Sequence, residues 1–461
     1  VWIIWANFYN FRTMLSSRLL LTALAVLCQC AAFADPVIKT SHGYIRGVQE
    51  KEVHVFKGIP YARAARFKAP VQGRNWSDTL SCTAFGPVAP QAGDGSEDCL
   101  SLNLYAPASG RKMPVVVWVH GGGMTGGSGK GMNGHAFADH DSIITITINY
   151  RLGALGFLYM GDVPGYETAP NNGLLDLIMA LRWIQENISA FGGDPAQVTV
   201  MGESAGAKLT SVLLVTPAAK GKYKQLILES GSVNCIRDLA TVKAIRRRLM
   251  DTLGISDPRA LLTMPVGEIM NAQAKVLGGA KGTNYFGPMA DNKIVMGDAY
   301  NWLKKHPSKG VKVLLGSNKA EALLFMNMDR RLVHPDVHVL RDWFGKNGDL
   351  VAIPQDSATA VVTLSAIMYR LHTYRLANVL PNAWLYSYEK GLATHGEELA
   401  LIWGEQSSEL HKDWVNFIKG RSPWTRYDSR KLGMIYDDHS REEPIPGYED
   451  LNYPAMGFLL D

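Results

Sequence analysis

The sequence predicts an α/β fold: a central, mostly parallel, twisted sheet flanked by helices, with helical cap insertions. Three observations predict it. Short apolar runs rich in β-branched residues alternate with stretches of helical spacing along most of the chain. Leu174 to Ala190 carries Leu174, Leu177, Ile178, Leu181, Ile184 and Ile188 at intervals that share one helix face. Segments rich in glycine, serine and histidine follow directly behind the strand-like runs, where a rigid sheet holds functional loops.

The elements follow in chain order. The chain begins with Val1, and Met14 reads as the start of a signal peptide, with residues 1–13 an upstream extension. Arg18 supplies the positive region, Leu19 to Val26 the apolar region, and Ala32-Phe33-Ala34 before Asp35 a small-x-small cleavage site. The apolar run is too short for a stable membrane span. Leu27 and Gln29 precede Cys28 and Cys30, where a lipoprotein cysteine needs a small residue, so no lipid anchor is expected. An exported protein, periplasmic or secreted, is the expectation. Residues 35–461 read as one domain, because the segments of a single site are spread from Gly122 to His395. Tyr44 to Tyr105 is rich in short strands and turns and predicts antiparallel edge strands. Val115 to Val119 is a strand entering His120-Gly121-Gly122-Gly123. Val198 to Met201 is a buried strand entering Gly202-Glu203-Ser204-Ala205-Gly206, and a helix follows that ends near Thr216-Pro217. Val311 to Leu315 leads to Gly316-Ser317-Asn318-Lys319-Ala320-Glu321, and Ala383 to Tyr388 precedes Thr394-His395-Gly396-Glu397-Glu398. Arg237 to Gln273 and Pro335 to Leu380 have helical character and are placed to cover a site and exclude water.

Strand, G-x-S-x-G, helix is the context of a nucleophile elbow. A serine hydroxyl is a weak nucleophile and must stand at the tip of a very tight turn, which side chains at Gly202 and Gly206 would crowd. The N–H of Ala205, opening the helix, faces a developing oxyanion. Consecutive glycines after His120 let further N–H groups approach the same point. The order Ser204, Glu321, His395 is the order of an α/β-hydrolase. His120 is assigned a structural role in orienting the glycine loop. Glu203 and Ser230 are read as tuning the site or as ordinary structural hydrogen bonds.

Longer stretches carry a family resemblance. They are Phe56-Lys57-Gly58-Ile59-Pro60-Tyr61-Ala62, Ser96-Glu97-Asp98-Cys99-Leu100-Ser101-Leu102-Asn103-Leu104, Asn149 to Phe157, Asn172-Gly173-Leu174-Leu175-Asp176 and Phe191-Gly192-Gly193-Asp194-Pro195. With the elbow, they make the chain resemble the type-B carboxylesterases, the family that includes the cholinesterases, from about Ile38 to the segment Trp414 to Trp424. The resemblance implies Ser204 as nucleophile, Glu321 as acid and His395 as base, with Gly122, Gly123 and Ala205 as oxyanion donors. It also implies a disulfide between Cys82 and Cys99. That bond would close a loop of about sixteen intervening residues, a constraint of roughly 3 kcal/mol, and export would permit it. Cys235 is left as a free thiol. The sequence departs from the family pattern at Ala320 and Ala322, which flank the acid, at Leu177, where glutamine is usual, and at Met124, where phenylalanine often follows the glycines.

The expected reaction is hydrolysis of carboxylic esters through an acyl-enzyme on Ser204, for short to medium acyl or aryl esters. No cofactor is expected, and no metal, since H-E-x-x-H spacing is absent around His395. Removing residues 1–34 takes away Arg12 and Arg18 and no acid, so the formal charge falls from +5 to +3. That mild balance gives no reason for a nucleic-acid or membrane partner. Arg246-Arg247-Arg248 reads as a solvated helix face. Thr83 to Asp98 holds no tryptophan, and Phe85 is its only aromatic residue. Cholinesterase relatives meet a quaternary ammonium with a tryptophan in that loop, so a choline-ester specialist is disfavoured. Asn75-Trp76-Ser77 and Asn187-Ile188-Ser189 match the glycosylation pattern, but the leader has a bacterial style and no glycan is expected. Two other classes share the fold. Lipases, thioesterases, amidases and detoxifying esterases use the same triad, and non-catalytic binding relatives lack the serine that is present here.

Overall fold

The computed structural model describes residues 35–277, 282–404, 407–445, 447–448, 451 and 453–454. The leader expected over residues 1–34 lies outside them. Eleven strands build the main sheet. In chain order they are β1 (Val48–Glu50), β2 (Val53–Pro60), β3 (Ser101–Pro107), β4 (Met113–Val119), β5 (Ile144–Ile148), β6 (Gly193–Glu203), β7 (Gln225–Glu229), β8 (Lys312–Asn318), β9 (Ala383–Tyr388), β10 (Leu432–Tyr436) and β11 (Arg441–Pro444). Across the sheet the order is β11-β10-β9-β8-β7-β6-β4-β5-β3-β2-β1. Every pairing from β5 through β10 is parallel. The pairings at both edges, β5 to β1 and β10 to β11, are antiparallel. The antiparallel edge expected between Tyr44 and Tyr105 is therefore present as β1 to β3.

A parallel sheet must be covered on both faces, and alternation along single strands shows that it is. Val115, Val117 and Val119 of β4 join one apolar cluster, while Val116 and Trp118 join another. Likewise Val198 and Val200 of β6 face the first cluster, and Met201 the second. Helix α1 (Asn172–Asn187) packs Leu174, Leu177, Leu181 and Ile184 into the first. The expected helix runs on to Ala190; the structure instead tightens Ile188–Phe191 into a 3-10 turn, closed by Gly192 at φ 83°.

The elbow helix α2 (Ala205–Val212) is followed by α3 (Leu239–Leu253) and α4 (Val266–Leu277), which fill the first helical stretch expected from sequence. Asp238 accepts from Thr241 N to cap α3. Helix α5 (Ala322–Met328) leaves the acid loop, and α6 (Val337–Phe344), α7 (Ser357–Ser365) and α8 (Leu371–Ala377) form the second stretch. Phe325, Trp343, Phe344, Leu364, Ile367 and Tyr369 give it a small core of its own. Helix α9 (Glu409–Ile418) places Trp414 and Phe417 on the second face of the sheet.

The structure does not show the disulfide expected between Cys82 and Cys99. Cys82 and Cys99 are both buried free thiols, as is Cys235. Burial pushes the thiols of Cys82 and Cys99 up to about 12, so they sit as small neutral apolar groups.

Candidate active site

The site forms where β4, β6, β8 and β9 end. At the end of β6 the chain turns at Ser204 with φ 54° and ψ −122°, a conformation that a residue with a side chain adopts only when its surroundings enforce it. Two glycines allow it. A Cβ on Gly206 would lie 1.9 Å from Val119 O, and one on Gly202 would lie 2.6 Å from the Gly206 carbonyl carbon. The turn is held by Ser204 N donating to Glu229 O at 2.8 Å, and α2 begins as Lys208 N donates to Ser204 O at 2.9 Å.

The glycine loop after β4 runs against this turn. A Cβ on Gly121 would sit 3.3 Å from Ser204 Cβ and 2.8 Å from Glu203 Oε2. Gly122 and Gly123 have φ of 97° and 64°. Gly122 O turns away to accept from Thr125 and Gly126 N–H. No backbone bond among the described residues takes the N–H of Gly122, Gly123 or Ala205. His120 steadies the loop as expected. Its Nδ1 lies 2.9 Å from Gly121 O, its ring stacks on Tyr150 at 4.5 Å, and Tyr150 Oη donates to its carbonyl. Burial lowers its pKa to about 4, so it is neutral.

Glu321 follows β8 and is fully buried. Its Oε1 accepts from Asn318 N at 2.7 Å and from Ser230 Oγ at 2.5 Å. Its Oε2 lies 2.5 Å from His395 Nδ1. The alanines flanking this residue do not disturb the loop, because Ala320 N donates to Ala393 O and Ala322 N to Ser365 Oγ. Ser230 thus acquires a definite task, positioning the acid. Two aromatic rings wall the imidazole: Tyr369 from the second helical stretch at 4.6 Å and Phe325 of α5 at 5.2 Å.

His395 Nε2 lies 3.1 Å from Glu203 Oε1. Neither atom has a hydrogen-bond partner among the described residues, so the bond from Ser204 Oγ to Nε2 is not closed. Such links are often long in the absence of substrate. Burial alone would lower the pKa of His395. The carboxylates of Glu203, Glu321 and Glu398 outweigh it and raise the value to about 9. Glu203 is pushed up to about 7, first by burial, with the His395 charge opposing and the Glu321 charge adding. Glu398 is raised to about 8 by burial and the neighbouring carboxylates. It is fully buried and hydrogen-bonded to the Asn318 side chain. Sequence reading gave Glu398 no role. Its spacing of three from His395 was the available signal.

The structure places Glu321 on His395 and the glycine loop against Ser204. Among the described residues, no group of His, Cys, Asp or Glu side chains has the arrangement of a metal site. No helix among them is long and apolar enough to cross a membrane.

The sequence model of the carboxylesterase family matches residues 34–347. The chain is 36% identical to the para-nitrobenzyl esterase of Bacillus subtilis over 328 residues, 66% of this chain and 65% of that enzyme. It is 30% identical to liver carboxylesterase B-1 of Rattus norvegicus over 391 residues, 73% of this chain and 69% of that one. It thus spans just under two thirds of the bacterial relative. Among solved structures, a Geobacillus stearothermophilus carboxylesterase superposes with a TM-score of 0.80 at 30% identity, covering 88% of this chain and 98% of the other. With the elbow, the glycine loop and the Glu321–His395 pair already in place, these matches show that the chain belongs to the carboxylesterase family.

Proposed function

We propose that this chain is a serine carboxylesterase that hydrolyses short to medium acyl or aryl esters through an acyl-enzyme on Ser204. The observation that carries the reading is the 2.5 Å contact between His395 Nδ1 and a fully buried Glu321, beside a serine held at φ 54°. Glu321 fixes the tautomer that leaves Nε2 as the base and stabilises the imidazolium. Ser204 Oγ attacks the ester carbonyl as Nε2 takes its proton. The carbonyl oxygen becomes an oxyanion facing the N–H groups of Gly122, Gly123 and Ala205, each contributing about 3–4 kcal/mol to the transition state. The imidazolium then protonates the leaving alkoxide. Water activated by Nε2 attacks the acyl-enzyme, and the acid product leaves.

The test is turnover of p-nitrophenyl esters from acetate to palmitate, wild type beside Ser204→Ala. Rapid hydrolysis of the short esters that disappears in the variant is expected. Turnover that survives in Ser204→Ala would sink the assignment, and hydrolysis confined to long chains would replace the short-acyl reading with a lipase. Export rests on the leader read in residues 1–34. Amino-terminal sequencing of the exported protein should begin at Asp35, and retention of the intact chain in the cytoplasm would oppose it.

A further inference from the structure

Asn318 is the last residue of β8 and is fully buried. It stands where the acid loop leaves β8, beside Tyr388 at the end of β9, from which the His395 loop departs. Its two ends serve different loops. The backbone N–H donates to Glu321 Oε1 at 2.7 Å, as described above. The side-chain Nδ2 points across to the other loop. It donates to Thr394 O at 2.6 Å and to the Glu398 carboxyl. The Asn318 Oδ1 is buried without a hydrogen-bond partner among the described residues. The orientation of the amide is therefore set by its donor side. An oxygen in the place of Nδ2 would face two acceptors.

The Thr394 carbonyl belongs to the peptide that leads into His395. The bond from Asn318 thus fixes the plane from which the imidazole hangs. At the other end of that residue, His395 Nδ1 meets Glu321 Oε2 at 2.5 Å. The contacts close a ring: Asn318 N–H to Glu321, Glu321 to the imidazole, and the peptide before His395 back to the Asn318 amide. A single contact at Nδ1 leaves the imidazole free to pivot about it, and a second tie at the backbone removes that freedom. Backbone bonds alone do not reach so far along the loop. Lys319 N donates to Tyr388 O and Ala320 N to Ala393 O, both at 2.9 Å, and this pair ends at Ala393. The Asn318 side chain carries the tie on to Thr394, and through Glu398 to the far side of the turn at Gly396, whose φ is 76°.

We propose that Asn318 is a positioning residue for ester hydrolysis: its side-chain amide clasps the His395 loop onto the acid loop and so keeps the imidazole in register with Glu321 and Ser204. The inference rests on the esterase reading and deepens it. The amide acts through His395, which makes its proton transfer in the transition state. Its loss should therefore reach kcat and kcat/KM alike. Displacement of a reacting group by about 1 Å costs on the order of a hundredfold in rate, and the backbone bonds that remain limit the displacement here.

The experiment compares wild type with Asn318→Ala on phenyl valerate, with rates expressed per site titrated by a p-nitrophenyl phosphonate, so that unfolded protein does not count. The backbone N–H to Glu321 is retained in this variant, which isolates the side chain. Both kcat and kcat/KM should fall by about tenfold to a hundredfold. The far-downfield proton resonance of the His395 Nδ1–H, which reports its bond to Glu321, should shift or broaden in the same variant. A merely structural role would lower the number of titrated sites and leave both readouts of the remaining sites in place. Asn318→Asp keeps the shape of the side chain but puts an acceptor where the donor was, and it replaces the alanine variant in both measurements if Asn318→Ala does not fold. Rates per site within about threefold of wild type, or a resonance that does not move, would overturn the clasp and leave the esterase reading standing. If the wild type turns over no ester, the esterase reading has failed and the clasp is judged by the resonance alone: a shift in Asn318→Ala supports it, and an unmoved signal overturns it.

Discussion

Glu203→Gln isolates the group that competes with Ser204 for His395. The Glu203 carboxylate lies 3.1 Å from Nε2 and is nearly buried. A protonated imidazole cannot take the serine proton, so whatever stabilises its charge raises the pH at which the free enzyme becomes active. At an effective dielectric of about 20, a full charge pair at that distance is worth about 5 kcal/mol, equivalent to roughly four pH units. The realised effect is smaller for two reasons visible in the site. Glu203 titrates near 7 and is charged only part of the time below that. Glu321 also remains at 2.5 Å from Nδ1 to hold the imidazolium. An acid limb displaced by about one to two pH units is the expectation. The sign follows from the chemistry: removing a carboxylate destabilises the imidazolium, so His395 loses its proton earlier and the limb moves to lower pH. The assay is kcat/KM for a neutral ester, phenyl valerate, from pH 5 to 10. A limb that stays in place or moves upward would refute the claim that Glu203 holds His395 protonated.

Three further outcomes follow from single contacts. Ser230→Ala removes one of the two donors to Glu321 Oε1, a charge-assisted bond worth about 1.5–3 kcal/mol; kcat should drop roughly tenfold to a hundredfold, and an unchanged kcat would show that the acid needs no such support. Asp176→Asn breaks a fully buried ion pair in which Arg151 Nε and Nη2 meet the carboxylate at 2.8 and 2.7 Å; urea titration should show a loss of about 3–5 kcal/mol, and a loss under 1 kcal/mol would contradict that reading. Glu398→Gln addresses pH and stability together. Its folded value of about 8 lies above its ordinary 4.5, so the folded state holds a proton that the unfolded state has released between those limits. Its contribution is present below 4.5 and lost as pH rises through 8. Wild type should therefore melt lower at pH 9 than at pH 6, and Glu398→Gln should flatten that slope by an amount on the order of a few kcal/mol; parallel curves for the two proteins would rule the effect out.

What sequence reading found and what it missed divide along a physical line. The elbow was legible because steric demand is local. Gly202, Ser204 and Gly206 lie within five positions, and the clash of a Gly206 Cβ with Val119 O is with the strand next to the elbow strand. The unbroken apolar run Val115 to Val119 likewise read as a strand, and its side chains enter both clusters. Glu321 and His395 were found because each follows its own strand. The Cys82–Cys99 bond was inferred from family position alone, and the sulfurs remain free thiols. From the second stretch of helical character, Tyr369 packs against His395.

Electrostatics was the part that could not be read along the chain. Glu203 and Glu398 stand 195 positions apart, yet each raises the pKa of His395. Those carboxylates meet the imidazole only in the folded site, so no spacing along the chain announces the shift they impose.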